Sequence, residues 1–416
     1  MVRKYVPLVL AASFACSMLL FVEHFWLPPK GLNYSDLYAR WYPARELLLH
    51  GRDPYSDAIS AEIQQWCFDE SRFAYPLYVA FLLAPTVGLS FSQVQTLFCW
   101  LLPLVLIGTI LLWLSVLRWR CDWLLLACII VLTFGNFAVL ESLYLQQPAL
   151  LVAALLAGCF AALDAGRLRL AGGLLALATI KPQLTFLLVP WLLLWSLSDW
   201  RARKNLAVGF GGVMAALLAG SQMLLPRWIP EFVEGLISYH HYTSTVSVLT
   251  LLFGKTGGVV LTIALVAGVA LLAWQTRAAP SGSYKFLFTF SMVTATTLVV
   301  APTMYPTGQV LLLPVVYWTL KDVRNIWAEG RWSRLTYPAV WFFIGWQWVA
   351  AAVFLLAGFF VSASWLQAHW MLVVDPIVLI PLAFVVFLGV RTRTVLGKGS
   401  VVAEIGAAAP VEASGR

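Results

Sequence analysis

Long apolar runs recur from one end of this sequence to the other, and they constrain its fold more than any other feature. The runs at 6–27, 97–117 and 339–358 approach or exceed the roughly 20 residues that an α-helix needs to cross about 30 Å of hydrocarbon. Of the 416 residues, 61% are hydrophobic and only 11% are charged, which excludes an ordinary soluble domain. A membrane barrel would show short strands of alternating polarity instead. We therefore expect an all-α, polytopic membrane protein.

Basic residues predict how such a chain threads through the membrane, because cytoplasmic loops carry an excess of Lys and Arg. Most of the 27 Lys and Arg residues fall in clusters between the apolar runs. Placing these clusters inside predicts about twelve transmembrane helices and two cytoplasmic termini. The helices are expected near 5–27, 92–117, 122–140, 148–163, 170–180, 184–198, 205–225, 257–275, 286–301, 309–320, 336–360 and 370–390. The net charge of +8 is then a topology signal, and no nucleic-acid partner is expected.

Two of the expected helices are only about half the usual length. Basic clusters lie on both sides of residues 170–198, so this segment must cross outward and return as a hairpin. Its turn falls at Lys181-Pro182, and its short helices imply a cavity that opens to the outer face. We expect one transmembrane domain over 1–398 that includes an extracytoplasmic loop with juxtamembrane helices at 28–89. Residues 399–416 are expected to form a disordered cytoplasmic tail.

Charge gathers in the first outer loop, where residues 28–72 carry twelve charged side chains, seven of them acidic. Asp36 and Arg40 lie one helical turn apart, a spacing at which the two side chains can pair. An amphipathic helix on the membrane surface, with a solvated face, would explain part of this charge. The stretch GRDPY at 51–55 predicts a turn, since Gly ends helices and Pro fixes the backbone that follows.

Several short motifs follow one another in a distinctive order. They are DLYARWYPA at 36–44, GRDPY at 51–55, FAYPL at 73–77, AGGLLALATIKP at 171–182, and APTMY at 301–305 followed by LLLP at 311–314. In order and spacing they resemble glycosyltransferase family 87, which belongs to the GT-C superfamily of integral-membrane glycosyltransferases. The resemblance covers residues 30–320. The chain departs from the family pattern at Gln146-Gln147, where the family has Gly-Gln.

The resemblance implies an enzyme that moves a sugar from a polyprenyl-phosphate donor to an acceptor hydroxyl, with inversion at the anomeric carbon. Mannose is the family's default sugar and arabinofuranose an alternative, and the acceptor would be a glycolipid, a glycan or a protein. The implied location is the bacterial inner membrane, in contact with membrane lipid, with an extracytoplasmic active site and no cofactor. A transporter, a lipid or glycolipid flippase and a non-catalytic assembly protein remain alternatives. Transporters keep their charges near mid-membrane on broken helices, whereas the acids here lie in outer loops.

Such a transfer needs a carboxylate that takes the acceptor proton and a cation that stabilises the departing phosphate. Asp36 is the predicted general base, because it occupies the position of the acid in the family's motif. Alternatively, Asp36 caps a helix beside Arg40, and Asp53 is the base. Lys181 is the predicted phosphate contact, since a lysine among apolar residues normally needs a partner or a function. The alternatives for Lys181 are contact with water and neutralisation by Glu141.

Further candidates come from the outer loops and the outer helix ends. The predicted donor-phosphate contacts besides Lys181 are Arg52, His240 and His241. The predicted substrate-cavity residues are Arg40, Asp53, Tyr55, Tyr75, Glu141, Gln147, Tyr305 and Gln309. No metal site is expected, because adjacent histidines point in different directions and no third ligand has a suitable spacing.

Overall fold

A computed structural model describes residues 35–67, 71–243, 246–302, 306–369 and 371–397. The predicted first span at 5–27 and the predicted tail at 399–416 lie outside the described residues. The α-helices are α1 Tyr38–His50, α2 Asp57–Cys67, α3 Val79–Leu83, α4 Phe91–Val116, α5 Trp123–Phe134, α6 Phe137–Tyr144, α7 Ala149–Asp164, α8 Leu168–Leu177, α9 Leu188–Leu197, α10 Trp200–Leu224, α11 Trp228–Thr243, α12 Val248–Thr276, α13 Tyr284–Val300, α14 Leu313–Lys321, α15 Val323–Ala328, α16 Arg331–Ala357, α17 Ala363–Ala368, α18 Met371–Val374 and α19 Ile380–Gly397. Within the described residues the regular secondary structure is entirely helical, which confirms the predicted fold class at this level.

Among the described residues, five helical segments are long and apolar enough to cross a membrane. They are α4, α10, α12, α16 and the segment Met371–Gly397. The pair α5 and α6 is a sixth candidate, bent by 62° where a single span was expected. The bend occurs because Gly135 ends α5 and the Asn136 side chain accepts a hydrogen bond from the backbone N–H of Ala138, which starts a new helix. The protein is therefore an integral membrane protein, and the count of twelve spans stays a prediction.

The hairpin at 170–198 consists of two short helices, α8 and α9, each of ten residues. Ten helical residues rise about 15 Å, which is half of the roughly 30 Å hydrocarbon layer. Between the helices lie two 3₁₀ turns, Ala178–Ile180 and Pro182–Leu184, with Lys181 between the turns. Pro182 cannot continue an α-helix, so the chain reverses here rather than at the far side of the membrane.

Two glycines let α8 pack directly against α10. A Cβ atom at Gly172 would lie 2.0 Å from the carbonyl oxygen of Leu206, and one at Gly209 would lie 2.1 Å from that of Arg169. Both contacts involve backbone atoms, so only glycine fits at these positions without moving the helices apart. This close approach fixes the position of α8, and with it the position of the turn that carries Lys181.

An aromatic cluster fills the middle of the bundle. The ring of Phe290 on α13 lies 4.4 Å from Phe160 on α7 and 5.3 Å from Trp113 on α4. Phe286 lies one turn earlier on α13, 5.0 Å from Trp191 on α9. All five side chains are buried, and rings of this size each remove about 150–250 Å² from contact with solvent. The cluster joins α9 to three other helices and so holds the second half of the hairpin.

The charged segment before α3 is more buried than its charge suggests. Leu37 and Trp41 are 2% and 4% exposed, and the indole N–H of Trp41 donates to the backbone oxygen of Thr86, 3.3 Å away. An amphipathic surface helix was one account of this charge, and in the structure α1 packs against α3 and the 3₁₀ turn Ala84–Thr86. Two charged residues of α1, Arg40 and Glu46, are consequently buried, while Arg45 stays partly exposed.

Candidate functional site

Asp36 lies at the entrance to α1, with its carboxylate directed at two donors. Its Oδ2 atom accepts a hydrogen bond from the side-chain amide of Gln147 and an ion-pair contact of 3.4 Å from Arg40. The Arg40 guanidinium also donates to the backbone oxygen of Asp36. The side chain of Asp36 is 20% exposed while that of Arg40 is 9% exposed, so the carboxylate lies at the edge of a buried cluster. The predicted pairing of Asp36 and Arg40 is therefore present.

Lys181 lies between the two 3₁₀ turns of the hairpin and is only 9% exposed. Its ammonium group donates to the Oε1 atom of Gln147 at 3.1 Å. The one amide of Gln147 thus joins Lys181 to Asp36, with its oxygen facing the cation and its NH₂ group facing the carboxylate. Lys181 also interacts electrostatically with Arg40 and Tyr75. This bridge brings three of the predicted site residues to one place.

Two tyrosines of the segment 75–78 contact Arg40 and the hairpin turn. The guanidinium of Arg40 lies 4.7 Å from the centre of the Tyr75 ring, a distance at which the ring face attracts a cation. The hydroxyl of Tyr78 lies 3.0 Å from both the backbone oxygen and the hydroxyl of Thr179, two residues before Lys181. Tyr78 therefore ties this segment to the hairpin turn and helps to hold the lysine in place.

Within the described residues, the cluster brings the cations of Arg40 and Lys181 close to the carboxylate of Asp36. A phosphate that entered beside Lys181 would be attracted by both cations, most strongly where water is scarce. The cluster therefore suits an anionic ligand.

A narrow groove reaches this cluster between α3, α4 and α7. Arg40, Gln146 and Gln147 border it, but the surface exposed inside the groove is apolar. Its apolar lining is Leu37, Val79, Leu82, Leu83, Phe98, Leu102, Pro148, Leu151 and Ile180. Leu82 is 44% exposed and lies on the outer side of α3. The groove thus offers apolar walls next to cationic and amide groups.

Arg52 lies in a separate ion-pair network. Its guanidinium contacts Glu62 at 2.6 Å and Glu46 at 3.0 Å, and the hydroxyl of Tyr42 donates to Glu62. The hydrogen bond from Arg52 and, to a smaller extent, the one from Tyr42 hold the pKa of Glu62 below its usual value. This network joins α1 to α2 and balances the charge of Arg52. The predicted role of Arg52 in phosphate binding stays a prediction.

Asp53 and Tyr55 form the turn that GRDPY predicts. The Asp53 side chain accepts from the backbone N–H of Tyr55 at 2.8 Å, which is an Asx turn. The hydroxyl of Tyr55 donates to the backbone oxygen of Tyr75 at 2.7 Å, and burial raises the pKa of Tyr55. The pKa of Glu231 on α11 is also raised, mainly by burial and to a smaller extent by the negative charge of Asp53. Asp53 therefore already has a structural role that Asp36 does not share.

Two of the remaining predicted residues, Glu141 and Gln309, lie in the part of the chain that the structure describes. Glu141 is buried on α6, and Gln309 donates to the backbone oxygen of Ile377 at 2.8 Å, which ties it to the C-terminal segment. Tyr305 and the side chains of His240 and His241 lie outside the part that the structure describes. Their roles, like those of Glu141 and Gln309, stay predictions.

Sequence reasoning missed Ser35 and treated Gln146 only as a departure from the family pattern. Ser35 is 3% exposed, and its hydroxyl donates to the Oε1 atom of Gln146 at 2.8 Å. A serine just before a predicted helix is a common capping signal, and this signal could have singled out Ser35. Its contact with Gln146 spans 111 residues and leaves no local trace in the sequence.

Among the described residues, no group of three His, Cys, Asp or Glu side chains could hold a metal ion. The family model of glycosyltransferase family 87 matches residues 73–302, more than half of the chain. This match confirms the resemblance that the motifs suggested. No curated protein and no solved structure shows significant similarity to the chain.

Proposed function

Because the chain belongs to glycosyltransferase family 87, we propose that it transfers mannose from a polyprenyl-phosphate donor to a hydroxyl of a glycolipid or glycan. The observation that carries the proposal is the bridge from Asp36 through Gln147 to Lys181. It places a carboxylate and a cation on opposite sides of one amide. These are the two groups that transfer from a phosphate carrier to a hydroxyl needs.

In the proposed reaction Asp36 is the general base. The acceptor hydroxyl oxygen forms a bond to the anomeric carbon while its proton passes to the carboxylate. The bond from that carbon to the phosphate oxygen breaks, and its electron pair leaves with the polyprenyl phosphate. Attack opposite the leaving phosphate inverts the anomeric configuration. Within the described residues, the hydrogen bonds to the Asp36 carboxylate end on Oδ2, so Oδ1 is the atom that would take the proton.

Lys181 and Arg40 would hold the donor phosphate. Both cations lie beside the Asp36 carboxylate, and a phosphate that entered there would be attracted by the two positive charges. As the phosphate leaves, its charge grows, and a fixed cation stabilises that change most strongly where water is scarce. Lys181 is 9% exposed, so it meets this condition.

The groove beside Arg40 supports a donor that is partly lipid. Its walls come from Leu82, Phe98, Leu102 and Leu151, and Arg40 and Gln147 of the cluster border it. A prenyl chain in contact with these walls would leave its phosphate next to Arg40. The groove volume of about 20 Å³ holds about one water molecule. Donor entry would therefore require α3 to move away from α4.

The site is proposed to face the extracytoplasmic side of a bacterial inner membrane. The basic clusters predict this orientation, and the hairpin turn would then open outward. Cysteine labelling tests it once the native thiols have been removed. A reagent that cannot cross the membrane should label cysteines placed at exposed Asp57 and Ala61 from outside. Labelling only from the cytoplasm would overturn the orientation.

The donor class is tested by incubating the purified protein with two radiolabelled donors, a polyprenyl-phosphate mannose and a nucleoside-diphosphate mannose. The proposal predicts sugar release or transfer from the first donor alone. A polyprenyl-phosphate arabinofuranose donor, run in parallel, distinguishes the two candidate sugars. Activity with the nucleotide sugar alone would overturn the proposed donor.

A further inference from the structure

Gln146 occupies a backbone position that glutamine rarely adopts. Its φ angle is +53°, in the left-handed region where a side chain crowds the backbone. The turn is a Schellman motif that ends α6, in which the N–H of Gln147 bonds to the oxygen of Ser142 and that of Gln146 to the oxygen of Leu143. Glycine is the usual residue at this position. Glutamine at this position carries a conformational cost, which a side-chain contact that glycine cannot make would offset.

The amide of Gln146 makes such contacts in two directions. Its Nε2 donates to the backbone oxygen of Gln95 on α4 at 2.8 Å, and its Oε1 accepts from the hydroxyl of Ser35 at 2.8 Å. The hydroxyl of Ser35 in turn accepts from the backbone N–H of Leu37 at 3.2 Å. Gln146 and Ser35 are 4% and 3% exposed, so water does not compete for these bonds. The chain of contacts runs from α4 to the first turn of α1.

Asp36 lies between the two residues that this chain of contacts fixes. Its backbone is held through Ser35 and Leu37, and its carboxylate is held by Gln147. Gln146 therefore helps to hold the backbone of Asp36, while the adjacent Gln147 holds its carboxylate. We propose that Gln146 is a positioning residue, which acts through Ser35 to hold Asp36 in the geometry for proton transfer. The inference rests on the proposed function of Asp36 as the general base.

The variant that tests this inference is Gln146→Gly. Glycine suits the left-handed conformation, so the Schellman turn and Gln147 should stay in place while the amide contacts are lost. The expected result is a fall of about 10- to 100-fold in kcat, since small misplacements of reacting groups have effects of this size. The donor KM should stay within about twofold, because Lys181 and Arg40 are untouched. The thermal midpoint should stay the same or rise.

Gln347→Ala is the matched control. Gln347 is also a fully buried glutamine, and its Oε1 accepts from the backbone N–H of Phe137 at 2.6 Å, at the opposite end of α6. Loss of this contact should lower the thermal midpoint and leave the kcat of the folded enzyme unchanged. A fall of kcat and thermal midpoint together in Gln146→Gly would indicate a structural role and would overturn the proposal.

Hydrogen exchange supplies a readout that does not depend on activity. Exchange of the peptide over 35–42 should be faster in Gln146→Gly than in the wild type or in Gln347→Ala. Ser35→Ala should give the same increase, and the double variant should lose no more kcat than the more affected single variant, since both changes break the contact between Ser35 and Gln146. Unchanged exchange, or unchanged kcat, in Gln146→Gly would overturn the proposal. If the wild type transfers no sugar, the proposed function fails, and exchange alone decides whether Gln146 holds the start of α1.

Discussion

Replacement of Lys181 by methionine should weaken donor binding without weakening the fold. Methionine keeps most of the apolar stem and removes the charge. A lysine at mid-membrane costs about 2.5–3.5 kcal/mol, while the lost bond to Gln147, which comes from a charged donor, contributes about 1.5–3 kcal/mol. The two effects nearly cancel, so the Lys181→Met protein should fold about as well as the wild type. Removal of a buried charge also leaves the packing of the short hairpin unchanged.

The affinity for the donor, unlike the stability of the fold, should fall in Lys181→Met. A hydrogen bond to a charged group is worth about 1.5–3 kcal/mol, and each 1.4 kcal/mol corresponds to a tenfold change in affinity. We expect the affinity of Lys181→Met for polyprenyl-phosphate mannose to fall about 10- to 100-fold. Turnover at saturating donor should fall as well, because the lysine also stabilises the leaving phosphate. Lys181→Arg should retain part of both, since its charge is kept but its shape differs.

The assay is donor binding and transfer in nanodiscs, with the thermal midpoint of each variant measured in parallel. Lys285→Met is the matched control, because the Lys285 ammonium also donates to an oxygen, that of Leu396 at 3.2 Å, on another part of the bundle. That variant should keep its donor affinity. Unchanged donor affinity in a folded Lys181→Met protein would refute the reasoning and make the lysine a structural residue.

Three further predictions concern stability. Arg52 lowers the pKa of Glu62, so the ion pair should stabilise the fold fully at pH values above the usual glutamate pKa of about 4.3. This stabilisation should be lost as the pH falls through the lowered pKa of Glu62. The thermal midpoint of Arg52→Gln should therefore depend less on pH than that of the wild type. Burial raises the pKa of Glu231, so the ionised form of Glu231 destabilises the fold. The variant Glu231→Gln should therefore have a higher thermal midpoint than the wild type at neutral pH. A lower midpoint would contradict this. Gly172→Ala should lower the free energy of unfolding by about 1–3 kcal/mol, because the added methyl group would meet the backbone of α10. The control Gly211→Ala should not lower it, because there is open space around Gly211. Equal thermal midpoints for the two variants would contradict the close packing of α8 against α10.

The helices followed from the sequence because apolar runs and basic clusters are local signals. The span predicted at 92–117 corresponds to Phe91–Val116, and the half-length hairpin turns at Lys181 as predicted. The bend after α5 was missed, although Gly135-Asn136 is a recognisable stop and start signal. Tests for apolar length alone do not register such a break.

The site could be predicted residue by residue but not as an arrangement. Asp36, Gln147 and Lys181 were each expected to matter, yet the contact between the first two spans 111 residues. No periodicity or spacing reports a contact of that range, because it depends on how the helices pack. The contacts of Arg52 with two carboxylates were missed for a related reason, since they require α1 and α2 to fold back on each other. A turn motif shows where the chain reverses but not which side chains then meet.

The central claim, that Asp36 takes the acceptor proton, is tested most directly by single-turnover transfer with Asp36→Asn. Asparagine keeps the size of the side chain and removes its basicity. Transfer should fall by about 100-fold or more, while donor binding, measured on the same sample, should stay within about twofold. Asp57→Asn, which changes an exposed acid of the same loop, should transfer at the wild-type rate. Near-normal transfer by Asp36→Asn would contradict the account and would make Asp53 the next candidate for the base.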